Sequence, residues 1–211
     1  MIALQDITGL ILAGGRGSRM GGVDKGLQLF HGTPLALHAL QRLQPQVGFC
    51  MLNANRSLDL YAHFGVPVYS DVLPDYAGPL AGFLTGLTHC TTNWLLTVPC
   101  DSPCFPTDLA QRMKATAEEA HAQIVLATGP EVSRDGTLQV RPQPVFALLH
   151  HSLLPSLQAF VAKGGRKIDT WTQQHPQALC HFDAPGDDIQ AFANANTLQE
   201  LHDLQHQQRI I

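Results

Sequence analysis

Fifteen residues near the amino terminus, Leu12-Ala-Gly-Gly-Arg-Gly-Ser-Arg-Met-Gly-Gly-Val-Asp-Lys-Gly26, carry six glycines and three cations, Arg16, Arg19 and Lys25. Glycine accepts positive φ and lets backbone N–H groups come close to a ligand, while the cations offset several negative charges. The apolar run Gly9–Ala13 leads straight into this loop and reads as a buried strand. A strand that empties into a glycine-rich cationic loop is a phosphate-binding pattern. Two familiar phosphate loops do not match it. A dinucleotide fingerprint begun at Gly15 needs a third glycine where Met20 stands, and a Walker A loop needs Gly-Lys-Ser/Thr where Asp24-Lys25-Gly26 stands.

Carboxylates that could serve such a site follow two further apolar runs. Asp101, in Pro99-Cys-Asp-Ser-Pro103, comes directly after Trp94–Val98. It can hold Mg²⁺ against nucleotide phosphates, because Mg²⁺ takes few protein oxygens and keeps several waters. Asp71 follows the short run Pro67–Ser70 in the same way. Either Asp also suits a plain turn or helix cap. Three cations in Lys163-Gly-Gly-Arg-Lys167 sit at a helix break and offer an anion site or an exposed basic turn. Asn194 and Asn196 flank one alanine, so an extended segment projects both to one face.

Short apolar runs alternate with amphipathic stretches, and these must position the loops. Strands are expected over Gly9–Ala13, Val47–Leu52, Pro67–Ser70, Trp94–Val98, Ile124–Thr128 and Val145–Leu149. Helices are expected from Thr33-Pro34 to Leu43 with Thr33 as N-cap, and over Leu58–Phe64, Leu80–Thr88, Asp108–His121, Ser152–Ala162 and Ile168–His175. Gly129–Pro142 reads as a polar hairpin-like connection, and Thr197-Leu-Gln-Glu200 as a capping box opening a terminal helix whose end frays within His202–Ile211. Apolar strands without strict alternation imply an α/β fold with one doubly wound, mostly parallel sheet. Its ligands belong beyond the carboxyl ends of the strands, which is where the candidate residues fall.

Taken together, Leu-Ala-Gly-Gly-x-x-x-Arg-Met-Gly-Gly-x-Asp-Lys-Gly resembles the signature of nucleotidyltransferases with a Rossmann-like fold, and most of all that of the molybdenum cofactor guanylyltransferases. The resemblance runs on through Asn53-Ala-Asn55, Ser70-Asp71, Gly78-Pro-Leu-Ala-Gly82, Pro99-Cys-Asp-Ser-Pro103, Arg141-Pro-Gln-Pro144 and Asn194-Ala-Asn-Thr197, nearly the whole chain. It implies a single domain over residues 1–211, with GTP on the amino-terminal part and molybdopterin on the carboxy-terminal part. The implied GTP site is Leu12, Ala13, Gly14, Gly15, Lys25, Asn53, Asp71, Pro79, Gly82 and Asp101, with Asp101 as the Mg²⁺ ligand and Arg19, Lys25 and Asp101 as the catalytic set. The implied molybdopterin site is Arg166, Asn194 and Asn196, with Pro142-Gln143-Pro144 shaping the pocket. The chemistry implied is attack by the molybdopterin phosphate on the α-phosphorus of GTP, with loss of pyrophosphate. A cytidylyl- or sugar-phosphate nucleotidyltransferase shares the glycine-rich signature, and a non-catalytic nucleotide-binding regulator could share the fold.

Composition narrows the alternatives. The 211 residues are 45% hydrophobic and 14% charged, which suits one globular domain with a core of its own. Thirteen Lys and Arg against 17 Asp and Glu leave a formal net charge of −4, contrary to a dedicated nucleic-acid binder. Eleven histidines are scattered without zinc spacing. Five cysteines form no regular pattern, and Cys100 and Cys104 have one residue too many between them for a C-x-x-C pair, so reduced buried thiols are expected. No signal-peptide pattern and no membrane-length apolar run occur, so a monomeric cytoplasmic protein is expected, working with other molybdenum cofactor biosynthesis or insertion proteins.

Overall fold

The structure, a computed structural model, describes residues 1–15, 23–72, 78–132 and 136–207. Strand β1 (Ile7–Leu12) is an interior strand of the main sheet. The chain then forms a two-residue hairpin, β2 (Leu29–Phe30) and β3 (Thr33–Pro34), followed by helix α1 (Leu35–Leu43). Next come β4 (Phe49–Asn53), α2 (Leu58–Ala62), β5 (Val68–Tyr69), α3 (Pro79–His89) and β6 (Trp94–Pro99). After α4 (Leu109–Ala120), β7 (Ile124–Val132) and β8 (Leu138–His150) form a long hairpin. Helices α5 (Leu154–Ala162) and α6 (Ile168–Thr172), strand β9 (Gln177–His181) and helix α7 (Leu198–Gln207) complete the described chain.

Among the described residues, seven strands form one sheet in the order β5-β4-β1-β6-β8-β7-β9. Only β8 runs against the rest. The sheet is therefore mostly parallel and covered on both faces, as expected. On one face Ile7 and Ile11 pack with Leu40 and Leu43 of α1 and with Met113 of α4. On the other, Leu10 shares one buried cluster with Leu80, Phe83 and Leu87 of α3, Leu157 of α5 and Trp171 of α6. Each large apolar side chain buried in this way stabilises the fold by roughly 1.5–3 kcal/mol. A third, smaller cluster holds Leu201 and Leu204 of α7 against Phe30 and Leu35.

Four local expectations change. Thr33 is not a helix cap: Thr33–Pro34 pairs with Leu29–Phe30, and Pro34 itself stands at the N-cap of α1. Helix α6 ends at Thr172, well short of His175. Much of Gly129–Pro142 is strand, because Thr128–Val132 continues to pair with Leu138–Pro142. Strand β9 was not anticipated: only Ala178 and Cys180 in Gln177–His181 pack against the core, so its apolar signal is weak. All five cysteines are free and buried, in line with expectation. No helix among the described residues is long and apolar enough to cross a membrane.

Candidate functional site

The sheet register assembles the site before any side chain is considered. Leu12 is level with Asn53 of β4 and with Pro99 of β6, and Asn53 is level with Tyr69 of β5. One row thus crosses four strands at their carboxyl ends. The residues just beyond it, Ala13–Gly15, Asn55, Asp71 and Cys100–Asp101, emerge side by side. The order in which strands are added reverses here too: β4 and β5 lie on one side of β1, and β6 on the other. Such a switch point leaves a crevice over the sheet edge.

A cavity of about 550 Å³ fills that crevice. Its walls include Leu12, Ala13, Gly14, Gly15, Lys25, Asn53, Asp71, Pro79, Gly82, Asp101 and Asn194, eleven of the residues picked out in the sequence. The opposite wall is Gln143–Phe146 of β8. Between the pairs Leu126–Ala147 and Ala127–Gln143, β8 carries three residues, Pro144–Phe146, with no partner on β7. Thr97 donates to the Val145 carbonyl at 2.6 Å and fixes this bulge. Gln143 and Pro144 were anticipated as pocket-shaping residues. Val145 and Phe146 were read only as strand interior, because a three-residue bulge leaves no periodic trace in the sequence.

Side-chain amides lock the β4–β5 corner. Asn53, 2% exposed, donates to the Tyr69 carbonyl at 3.1 Å and to Asp71 Oδ1 at 2.9 Å. Asn55 donates to the Gly14 carbonyl at 2.9 Å and to Asp71 Oδ2 at 2.8 Å, and accepts from the Asp71 backbone N–H at 2.8 Å. Asp71 is therefore oriented at both oxygens, with lone pairs left for a donor in the cavity. Two glycines permit this closeness. A Cβ on Gly14 would lie 2.9 Å from Asn53 Oδ1, and one on Gly82 2.4 Å from Leu12 Cδ2.

Helix α3 points its amino terminus at the same cavity. Gly78, at φ +76°, sets the entry and supplies no capping side chain. Pro79 has no N–H and the Ala81 N–H donates to the Gly78 carbonyl at 3.1 Å, so it is the positive end of the helix dipole that favours an anion there.

Lys25 faces α3 from the other side. Its ammonium donates to Asp101 Oδ2 and, at 3.0 Å, to Asn196 Oδ1. Both side chains of the Lys25–Asp101 pair are 19% exposed. The preceding Asp24 is tied down by the buried Tyr61 hydroxyl, which donates to Oδ1 at 2.6 Å, and by Arg56, whose Nε is 3.6 Å from Oδ2. Burial and the Asp24 carboxylate push the Tyr61 phenol far above its usual range, so it remains a donor. This Asp24–Tyr61–Arg56 cluster had no sequence signal, since its members stand far apart in the chain. Cys100, also in the wall, is 5% exposed, and burial beside Asp101 pushes its thiol well above the ordinary range. It is neutral near pH 7 and unsuited to act as a nucleophile.

The carboxy-terminal segment folds back over the β6 loop. Ser102 donates to Asn194 Oδ1, and the Ala195 N–H donates to the Asp101 carbonyl at 2.9 Å. The capping box forms as expected: Glu200 N–H donates to Thr197 Oγ1 at 3.1 Å, and Thr197 N–H to Glu200 Oε2 at 3.2 Å. Arg166 is exposed and lies outside the cavity lining. Arg16 and Arg19 fall outside the described residues.

A glycine-rich turn, a helix amino terminus and a lysine–carboxylate pair on one sheet edge are features with which an α/β protein can hold the phosphates of a nucleotide. The chain belongs to the family of the MobA-like NTP transferase domain, whose model matches residues 9–179. A relative from Acidovorax ebreus, named molybdenum cofactor guanylyltransferase, is 66% identical over 206 residues, covering 97% of this chain and 98% of the relative. One of the same name from Albidiferax ferrireducens is 60% identical over 208 residues, covering 98% and 99%. In fold, the chain is similar to the molybdopterin-guanine dinucleotide biosynthesis protein A of Archaeoglobus fulgidus, with a TM-score of 0.74 at 17% identity over 97% of this chain and all of the other. The fold is accordingly the Rossmann-like one of the nucleotidyltransferases.

Proposed function

We propose that this protein transfers GMP from GTP to the terminal phosphate of molybdenum-bearing molybdopterin, releasing pyrophosphate. The observation that carries the reading is the meeting of Lys25 and Asp101 in the wall of a cavity that is also lined by Gly14, Gly15 and the start of α3. The guanylyltransferase names of relatives up to 66% identical support the choice of substrates. About 550 Å³ is also the scale of a small-molecule pocket.

In this reading Leu12, Ala13, Asn53, Asp71, Pro79 and Gly82 hold the guanosine, while Gly14, Gly15, Lys25 and Arg19 hold the triphosphate. Arg166, Asn194 and Asn196 stand on the molybdopterin side. Among the described residues no three His, Cys, Asp or Glu converge as a metal cage. A single carboxylate such as Asp101 nonetheless fits Mg²⁺, which binds one or two carboxylates together with substrate phosphates. Mg²⁺ held there would neutralise phosphate charge. The acceptor phosphate is already ionised near neutral pH, so no general base is required of the protein. Lys25 and Arg19 place positive charge where the leaving pyrophosphate becomes more negative, and the walls hold the two anions in line. The protein is taken as one monomeric, cytoplasmic domain over residues 1–211.

Calorimetry with GTP, CTP and ATP in the presence of Mg²⁺ tests the nucleotide half, and a single-turnover assay with molybdenum-bearing molybdopterin tests the rest. Selective GTP binding and formation of the dinucleotide product are expected. Preference for CTP would move the protein to a cytidylyl reaction, and binding without turnover to a regulator.

A further inference from the structure

The Lys25 ammonium has two acceptors of different kinds. Asp101 Oδ2 cancels its charge. Asn196 Oδ1, at 3.0 Å and 171 residues away in sequence, holds it without cancelling anything. The difference matters once phosphates enter. A lysine that stays paired with a carboxylate offers them little net charge, whereas a lysine that leaves the carboxylate loses its anchor on a flexible four-carbon stem. A neutral amide oxygen is the acceptor that resolves this conflict.

Asn196 is well placed for that task. Its backbone N–H donates to Glu200 Oε2 at 2.7 Å, and the neighbouring Ala195 N–H to the Asp101 carbonyl at 2.9 Å. Helix α7, which begins just beyond, is anchored through Leu201 and Leu204 on Phe30 and Leu35. Phe30 lies only five residues after Lys25, so lysine and amide are mounted on one platform.

We infer that Asn196 is a positioning residue for the nucleotide: it retains the Lys25 ammonium at the phosphate site when Lys25 releases Asp101. The inference rests on the guanylyl reading for the identity of the nucleotide. It departs from that reading in giving Asn196 a task that does not need the acceptor substrate.

A double-mutant cycle on nucleotide binding tests this, using GTP with Mg²⁺ and no molybdopterin. Asn196→Ala is expected to weaken binding about tenfold, the scale of one hydrogen bond to a charged group. Lys25→Ala weakens it at least as much, and the double variant should match Lys25→Ala within a factor of two or three. Asn196→Ser, too short to reach the ammonium, should behave as Asn196→Ala and serves if the latter folds poorly. Asn196→Asp should bind more weakly still, since its carboxylate would again cancel the lysine charge. Unchanged GTP affinity in Asn196→Ala, or a full additive loss in the double variant, overturns the inference. Should wild-type protein bind no GTP, the guanylyl reading falls, and the same cycle with inorganic tripolyphosphate decides the role of Asn196 by the same criteria.

Discussion

At the residue scale the proposed chemistry rests on Asp101 and Lys25. Asp101 is the single carboxylate at the carboxyl end of β6 that faces the cavity, and it accepts from Lys25. Asp101→Ala is expected to abolish dinucleotide formation while circular dichroism and the melting profile stay close to wild type; normal turnover in a folded variant would remove Asp101 from the mechanism. Lys25→Ala should lower kcat on the order of 10²–10³, the usual size for a preorganised group that stabilises transition-state charge. If kcat is unchanged and only KM for GTP rises, the lysine contributes uniform binding instead. These two residues were legible in the sequence, since strand-then-loop placement needs no knowledge of the partner. Their contact with one another, and that of Lys25 with Asn196, was not legible, because it joins residues 76 and 171 apart.

The decisive element is α3, a helix buried from Leu80 to Leu87 and aimed at the cavity. It can lie so close to β1 and β4 because Gly82 has no side chain. Gly82→Ala would place a Cβ 2.4 Å from Leu12 Cδ2 and 3.0 Å from Asn53 Oδ1, both in the cavity wall. The expected result is a loss of about 1–3 kcal/mol in stability by denaturant titration, together with a raised KM for GTP. An unperturbed KM would mean that α3 shifts freely without disturbing the wall. The helix was read almost to its true ends because its apolar run is long and bounded by Gly78-Pro79. The β7–β8 hairpin was read too short for the opposite reason. Leu138–Pro142 is exposed and polar enough to look like a loop, and only pairing with β7 makes it strand.

For the molecule as a whole, acid sensitivity follows from its half-buried histidines. Burial holds His38, His150 and His175 below their ordinary value of 6.5, helped at His38 by Arg42 and His31 and at His150 by His151. Their charged forms cost more in the folded state, so as pH falls through about 6.5 the unfolded chain binds protons that the folded protein does not. This contribution is level above that pH and lowers stability beneath it. The melting temperature should therefore be lower at pH 5.5 than at pH 7.5, and His38→Asn should narrow the gap. A melting temperature that rises on acidification would contradict this assignment.

The class of fold and the edge of the sheet that bears the site were determined by the sequence alone. Apolar periodicity and glycine spacing are local properties, and a parallel sheet places its loops by strand direction without further instruction. The tertiary structure decided which of those loops touch. Register put Leu12, Asn53 and Pro99 in one row, a bulge turned Gln143–Phe146 into a wall, and the return of α7 brought Asn196 to Lys25. Such contacts depend on pairing and packing between distant segments, which no local pattern encodes.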